Sequence, residues 1–165
     1  MTNQCKSLFL APLIIFALPY PLLAQDRVPS ISCGIPPQLE LLDNPAQLHD
    51  LGIISAYPIE TIESPYPNLW WAKEQFDTFD VNLIDNWLIY PQQNQIDLIV
   101  NRRIWSVLGY LDHYRLVNQF GTVARTYGYN LRIFNQRQQC LAIYSCDFAT
   151  TPLQCVIDLK DSFGL

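Results

Sequence analysis

The sequence predicts an α+β fold in which helices pack on one face of a small, mainly antiparallel sheet, the chain ends in a three-stranded meander, and disulfides staple the whole. Three observations predict it. An apolar stripe at helical spacing runs through residues 112–127, and apolar residues alternate with polar ones at 96–100, 129–133 and 140–160. Four cysteines, Cys33, Cys140, Cys146 and Cys155, remain once a leader carrying Cys5 is set aside. Helical and strand periods confined to separate blocks are the mark of α+β architecture.

Residues 1–24 read as a secretory signal peptide: one charge at Lys6, an apolar run over 8–18, a break at Pro19 and Pro21, and Ala24 before polar Gln25 and Asp26. The run is shorter than the roughly 18 residues a spanning helix needs, and no later segment approaches that length. No stable membrane span is therefore expected after leader cleavage, although bulky Leu22 three residues before the cut leaves an uncleaved anchor as the alternative. Cys33 lies well beyond the apolar run and does not look like an acylation site. The mature domain is expected outside the cytoplasm, where disulfides persist.

The next block, 25–67, holds Pro29, Pro36, Pro37, Pro45, Pro58, Pro65 and Pro67 and should be mostly irregular, with helical turns at 39–42 and 46–51. A single α+β domain is expected over 68–165. Asn68 is a plausible cap for a helix burying Leu69, Ala72, Phe76 and Phe79. Asp80 could cap a second short helix through Ile89, ended by Pro91. Residues 92–95 then form a polar turn, and Ile96, Leu98 and Val100 alternate as a strand. Helical spacing returns with Ile104, Val107, Leu108 and Leu111. The clearest element spans 112–127, with Leu116, Val117, Phe120, Val123, Ala124 and Tyr127 on one face and Arg115, Asn118, Gln119, Thr122, Arg125 and Thr126 on the other. Asp112 can cap its start, and Gly128 supplies a left-handed stop.

The cysteine pairing follows from strand geometry. Cys140 and Cys146 on one extended strand sit roughly 20 Å apart and cannot bond. A hairpin turning at 149–152 instead places Cys146 opposite Cys155, Tyr144 opposite Ile157 and Ala142 opposite Leu159, with one face apolar and the other mixed. Cys146 with Cys155 is therefore expected, and Cys33 with Cys140 by elimination. A thiol redox or metal site is the rival, but no Cys-x-x-Cys spacing and no neighbouring histidine supports it.

Without the leader, 9 basic and 15 acidic residues leave a net charge of −6, which argues against nucleic acid as a partner. The charge is uneven: residues 26–97 hold 11 acids against Arg27 and Lys73, and 102–137 hold six arginines against Asp112 alone. The two segments either face each other across the fold or form separate surfaces, one suited to an anionic partner.

No catalytic motif stands out. His49 and His113 are the only histidines, so a multi-histidine metal site within one chain is impossible, and there is no Gly-x-Ser-x-Gly elbow and no phosphate-cradling loop. No cofactor and no metal is implied. Glu74, Asp77 and Asp80 sit at helical spacing, but acids at helix ends are usually solvated or capping. Aromatics are the remaining lead: Trp70 and Trp71 are neighbours about 100° apart on a helix and cannot share one buried stripe. Two stretches, NLWWAKEQF (68–76) and DLIVNRRIWSVLGYLDHYRLVNQFGTVARTYGYNLRIFN (97–135), resemble small exported cyanobacterial proteins with no assigned activity. The resemblance implies a periplasmic or thylakoid-lumenal setting and carries over no site residues.

The expected function is that of an exported, non-enzymatic accessory protein. It would meet a protein partner outside the cytoplasm through Arg115 and Arg125 on the long helix, or through Trp70 and Trp71. The alternative is a hydrolase or binder of cell-wall sugar or peptide, which requires carboxylates converging beside an aromatic ring in a concave pocket.

Overall fold

A computed structural model describes residues 32–56, 69–76 and 82–160. The leader, the cap at Asn68, and Phe79, Asp77 and Asp80 lie outside the described residues. Six strands form one sheet in sequence order: β1 (Ile54–Ser55), β2 (Ile84–Tyr90), β3 (Gln95–Val100), β4 (Asn130–Asn135), β5 (Cys140–Asp147) and β6 (Gln154–Leu159). All neighbours are antiparallel except β3 and β4, which run parallel. That parallel step needs a crossover, supplied by α3 (Arg102–Val107) and α4 (Tyr110–Thr126). α1 (Pro45–Asp50) precedes β1, and α2 (Leu69–Phe76) lies between β1 and β2.

The main core lies between the sheet and α4. Leu116, Val117, Phe120 and Ala124 meet Ile96, Leu98 and Val100 of β3, Leu131 and Ile133 of β4, and Ala142, Tyr144 and Cys146 of β5. Burying an aliphatic or phenyl side chain of this kind contributes about 1.5–3 kcal/mol. Gly121 faces the sheet as well, and a Cβ there would fall 2.2 Å from the Tyr144 ring, so the helix approaches β5 as closely as it does only because the side chain is missing. Gly128, at φ +79°, ends the helix as expected.

Helices do not cover only one face. A 3-10 turn at Leu39–Asp43 and α1 lie over the reverse face, where Leu41 and Leu48 pack on Leu88 with Tyr90 beside them. The helix expected through 89 is therefore the strand β2. Trp87 and Ile89 point into the main core, while Leu88 and Tyr90 point to the other. Such a strand shows no polar alternation, which is why its apolar residues also fit a helical period.

The meander is as expected. β5 and β6 pair with Cys146 opposite Cys155, Tyr144 opposite Ile157 and Ala142 opposite Leu159. Disulfides join Cys146 to Cys155, Cα atoms 4.0 Å apart, and Cys33 to Cys140, Cα atoms 6.0 Å apart. Two such bonds suggest an oxidising, non-cytoplasmic compartment. β5 departs from a half-buried strand, since residues 141–146 are buried on both faces. Among the described residues, no helix is long and apolar enough to cross a membrane.

Candidate functional site

Two clefts differ in how their polar groups are engaged. The first, about 530 Å³, opens on the reverse face between the strap 35–38, residues 51–53 and the β2–β3 turn, with Tyr90 and Arg132 in its wall. Arg132 grips Asp97 twice, Nε donating to Oδ1 at 2.8 Å and Nη2 to Oδ2 at 2.6 Å. Its Nη1 donates to the carbonyls of Cys33 at 2.7 Å and Ile35 at 3.1 Å. Gln95 adds a third donor to Asp97, whose side chain is fully buried. Burial pushes the Asp97 carboxyl above its usual range, and the hydrogen bonds and charge of Arg132 pull it back. Burial, with the Asp97 charge adding to it, likewise raises the Tyr90 phenol, which stays protonated. This ion pair fastens the N-terminal strap to the sheet, and the Cys33–Cys140 bond anchors the same strap covalently.

The second cleft, about 430 Å³, opens beyond the carboxyl ends of the parallel strands β3 and β4, the place where open sheets with parallel strands commonly take ligands. Local hydrogen bonds build its walls. Asn101 caps α3, its Oδ1 accepting from the backbone of Arg103 at 3.0 Å and Ile104 at 3.4 Å. Gln136 Oε1 accepts from the Arg102 backbone, and its amide donates to Asp85. Asn135 Oδ1 closes the β4–β5 turn by accepting from the backbone of Arg137 and Gln139. His113 stacks on Trp105 at 4.0 Å, and its Nε2 lies 2.9 Å from the Trp105 carbonyl; a carbonyl only accepts, so Nε2 carries the proton. Arg102, Tyr110, Gln139 and Lys160 line the opening over a floor of Trp105, Leu108, Leu141 and Leu159. No side-chain partner engages the Arg102 guanidinium among the described residues.

At the mouth of this cleft the chain leaves apolar surface in water. Val107 is 81% exposed, Tyr110 62%, Leu111 66% and Tyr114 43%. The spacing of Ile104, Val107, Leu108 and Leu111 suggested a buried stripe, but the helix breaks at Leu108 and Gly109, and α4 starts at Tyr110 with Gly109 rather than Asp112 as its cap. The break rotates Val107 and Leu111 out of the core and leaves Trp105 as the buried residue of α3. These four exposed apolar and aromatic residues all fall within 107–114, around the break between α3 and α4.

Arg115 and Arg125 continue along α4 away from that cluster, about 15 Å apart. Arg115 is exposed and pairs with Asp112 at 3.5 Å; Arg125 is half-buried. Among the described residues, Arg132 is the arginine that reaches an acid of the first half, and Arg102, Arg103, Arg125 and Arg137 have no ion pair. Trp70 is half-buried edge-on against Trp87, centroids 4.8 Å apart, with the Lys73 ammonium 5.4 Å from its ring. Trp71 is 54% exposed. The structure thus turns the two tryptophans to different environments on α2. α2 is itself tied to α4 by Gln119, which donates to the Ala72 carbonyl.

The residues that the sequence left unmarked here are Arg102, Val107, Tyr110, Leu111 and Tyr114. The phase break at Leu108 and Gly109 was the signal that could have found them. Among the described residues, neither cleft is lined by a carboxylate, and no group of three or more His, Cys, Asp or Glu side chains could hold a metal ion.

Fold and site together define a small, disulfide-stapled α+β domain with an apolar, arginine-flanked corner. No protein-family model matches the chain, and neither a curated protein nor a solved structure matches it significantly.

Proposed function

We propose that this is an exported, non-enzymatic accessory protein that docks on a protein partner through the α3–α4 corner. The setting would be the periplasm, a thylakoid lumen or the extracellular space, reached by way of a signal peptide at 1–24. One observation carries the reading: Val107, Tyr110, Leu111 and Tyr114 are exposed together at one corner. Keeping an aliphatic side chain in water forgoes about 1.5–3 kcal/mol of burial. Tyrosine and arginine, enriched in the cores of protein interfaces, make up much of this surface and its flank. The negative overall charge supports a protein rather than a nucleic acid as partner.

The test is capture of partners from periplasmic or lumenal extract by the mature protein, compared with Leu111→Ser/Tyr114→Ser, Arg115→Glu/Arg125→Glu and Trp71→Ala. The first variant should lose the partner and the second should weaken it. Recovery of the same partners by all three at the level of the unmutated protein would overturn the reading.

A second reading, a binder of cell-wall sugar or peptide, draws support from the first cleft. The side-chain amides of Gln38, Gln92 and Gln93 and the ring of Tyr90 line it beside Ile35, Leu51 and Ile53. Titration with soluble muropeptides should then shift resonances of Gln92 and Gln93 and not those of Arg102. Among the described residues, neither cleft carries the carboxylate pair that the hydrolase form of this reading needs.

A further inference from the structure

We infer that the second cleft is a carboxylate-recognition pocket, which seats an acidic group of the partner, carried next to an apolar side chain, beside the Arg102 guanidinium. This inference rests on the docking role of the α3–α4 corner and names the chemistry of what docks there.

The donor set of the lining points to an anion. Arg102 and Lys160 bring positive charge, Tyr110 and Gln139 bring neutral donors, and among the described residues no acid lines the cleft. Lys160 is already paired with Asp158, so Arg102 is the principal charge. Its guanidinium has no hydrogen bond or ion pair among the described residues, whereas its backbone amide is held by Gln136. The cation is therefore fixed at its root, with its tip unengaged among the described residues. Gln139 is held in a similar way: its Oε1 accepts from Asn135, and its Nε2 has no acceptor among the described residues. A planar guanidinium suits a carboxylate, which it can bind through two parallel hydrogen bonds.

The floor demands more than a bare anion. Trp105, Leu108, Leu141 and Leu159 line it, and the exposed Tyr110 joins the cleft to the apolar cluster at its mouth. At about 430 Å³ the space falls within the roughly 300–1,000 Å³ typical of small-ligand sites. A carboxylate attached to an aromatic or branched aliphatic group satisfies both halves, and a peptide supplies this as an acidic residue beside an apolar one or as an apolar C-terminal residue.

N-acetylphenylalanine is the probe, titrated into the ¹⁵N-labelled mature protein with disulfides intact. Backbone resonances at Arg102, Trp105, Gln139 and Lys160 should shift and saturate in the millimolar range. N-acetylphenylalanine amide, which lacks the charge, and inorganic phosphate, which lacks the ring, should each bind at least about tenfold more weakly, as loss of a charge-assisted hydrogen bond implies. Arg102→Gln should weaken the probe by a similar factor with other resonances unmoved, and Arg137→Gln, an unpaired arginine outside the cleft, should leave it unchanged. The pocket is refuted if the probe moves no resonance around the cleft, if the amide binds as well as the acid, or if phosphate binds as well as either. The docking role is read separately: a probe that fails while Leu111→Ser/Tyr114→Ser still abolishes partner capture removes the pocket and leaves the corner.

Discussion

Arg132 and Arg102 each line a cleft on the same small domain, yet their surroundings put them to opposite uses. Arg132 lies in the middle of β4 with its guanidinium engaged by Asp97 and by two carbonyls of the strap. Arg102 sits at the start of α3 with its backbone held and its guanidinium unengaged among the described residues. An arginine with four of its five N–H groups engaged is structural, because little is left for a ligand to claim. An arginine with a fixed root and an open fork is already positioned for an anion. The two clefts are of similar size, so the state of the polar groups separates them, not the volume.

This comparison can be broken most sharply on the structural side. Replacing Cys33 and Cys140 together by serine opens a crosslink spanning 107 positions, for which the chain-entropy model expects a loss of about 4–5 kcal/mol. The same change at Cys146 and Cys155, nine positions apart, should cost only about 3 kcal/mol. Urea denaturation of the two double variants measures the difference, and equal losses would show that the strap is not held mainly by its long-range bond. Arg132→Met comes next. It strands the buried Asp97 carboxylate and should destabilise the domain by about 3–5 kcal/mol, with much of the loss regained in Arg132→Met/Asp97→Leu, where no buried charge remains. Gly121→Ala should follow at about 1–3 kcal/mol, since the clash with Tyr144 outweighs the roughly 1 kcal/mol that alanine gains in a helix. Thermal melts of that variant beside Thr122→Ala on the solvent side of α4 would isolate the packing term.

The functional side should be nearly silent in the same assays. Arg102→Gln and Leu111→Ser touch exposed side chains with no engaged partner and should stay within about 0.5 kcal/mol of the parent. Smaller still is a pH effect at Asp85. Burial raises its carboxyl, with the Gln136 hydrogen bond and the Lys73 charge opposing. The folded chain thus holds that proton more tightly than the unfolded one. The stabilisation from protonated Asp85 is present at low pH and is lost as pH rises through the window just above the ordinary carboxylate range. Asp85→Asn should flatten that slope in urea titrations across acidic pH; an unchanged slope would assign it to another group.

Much of the fold was legible because it rests on local patterns. The stripe of Leu116, Val117, Phe120 and Ala124 gives α4 directly, and the period-two alternation on both sides of Cys146 and Cys155 gives the hairpin register and hence both disulfides. β2 was not legible as a strand. Its residues are buried on both faces, so they carry no polar alternation, and a short apolar run satisfies a helical period equally well. The candidate site was legible only in part. Arg115 and Arg125 announce themselves by lying on the polar face of α4. Val107 and Leu111 match a buried stripe until the break at Gly109 throws them out of phase. Arg132 is one of six arginines spread over residues 102–137, and its partner lies 35 positions away, a pairing that only the parallel register of β3 and β4 reveals.

Arginine footprinting with phenylglyoxal, read by mass spectrometry with and without N-acetylphenylalanine, tests the contrast between the two clefts most directly. Arg102 should react readily and be protected by the probe, Arg125 and Arg137 should react equally with and without it, and Arg132 should resist modification throughout. Modification of Arg132 as fast as Arg125, or of Arg102 at the same rate whether or not the probe is bound, would contradict the account.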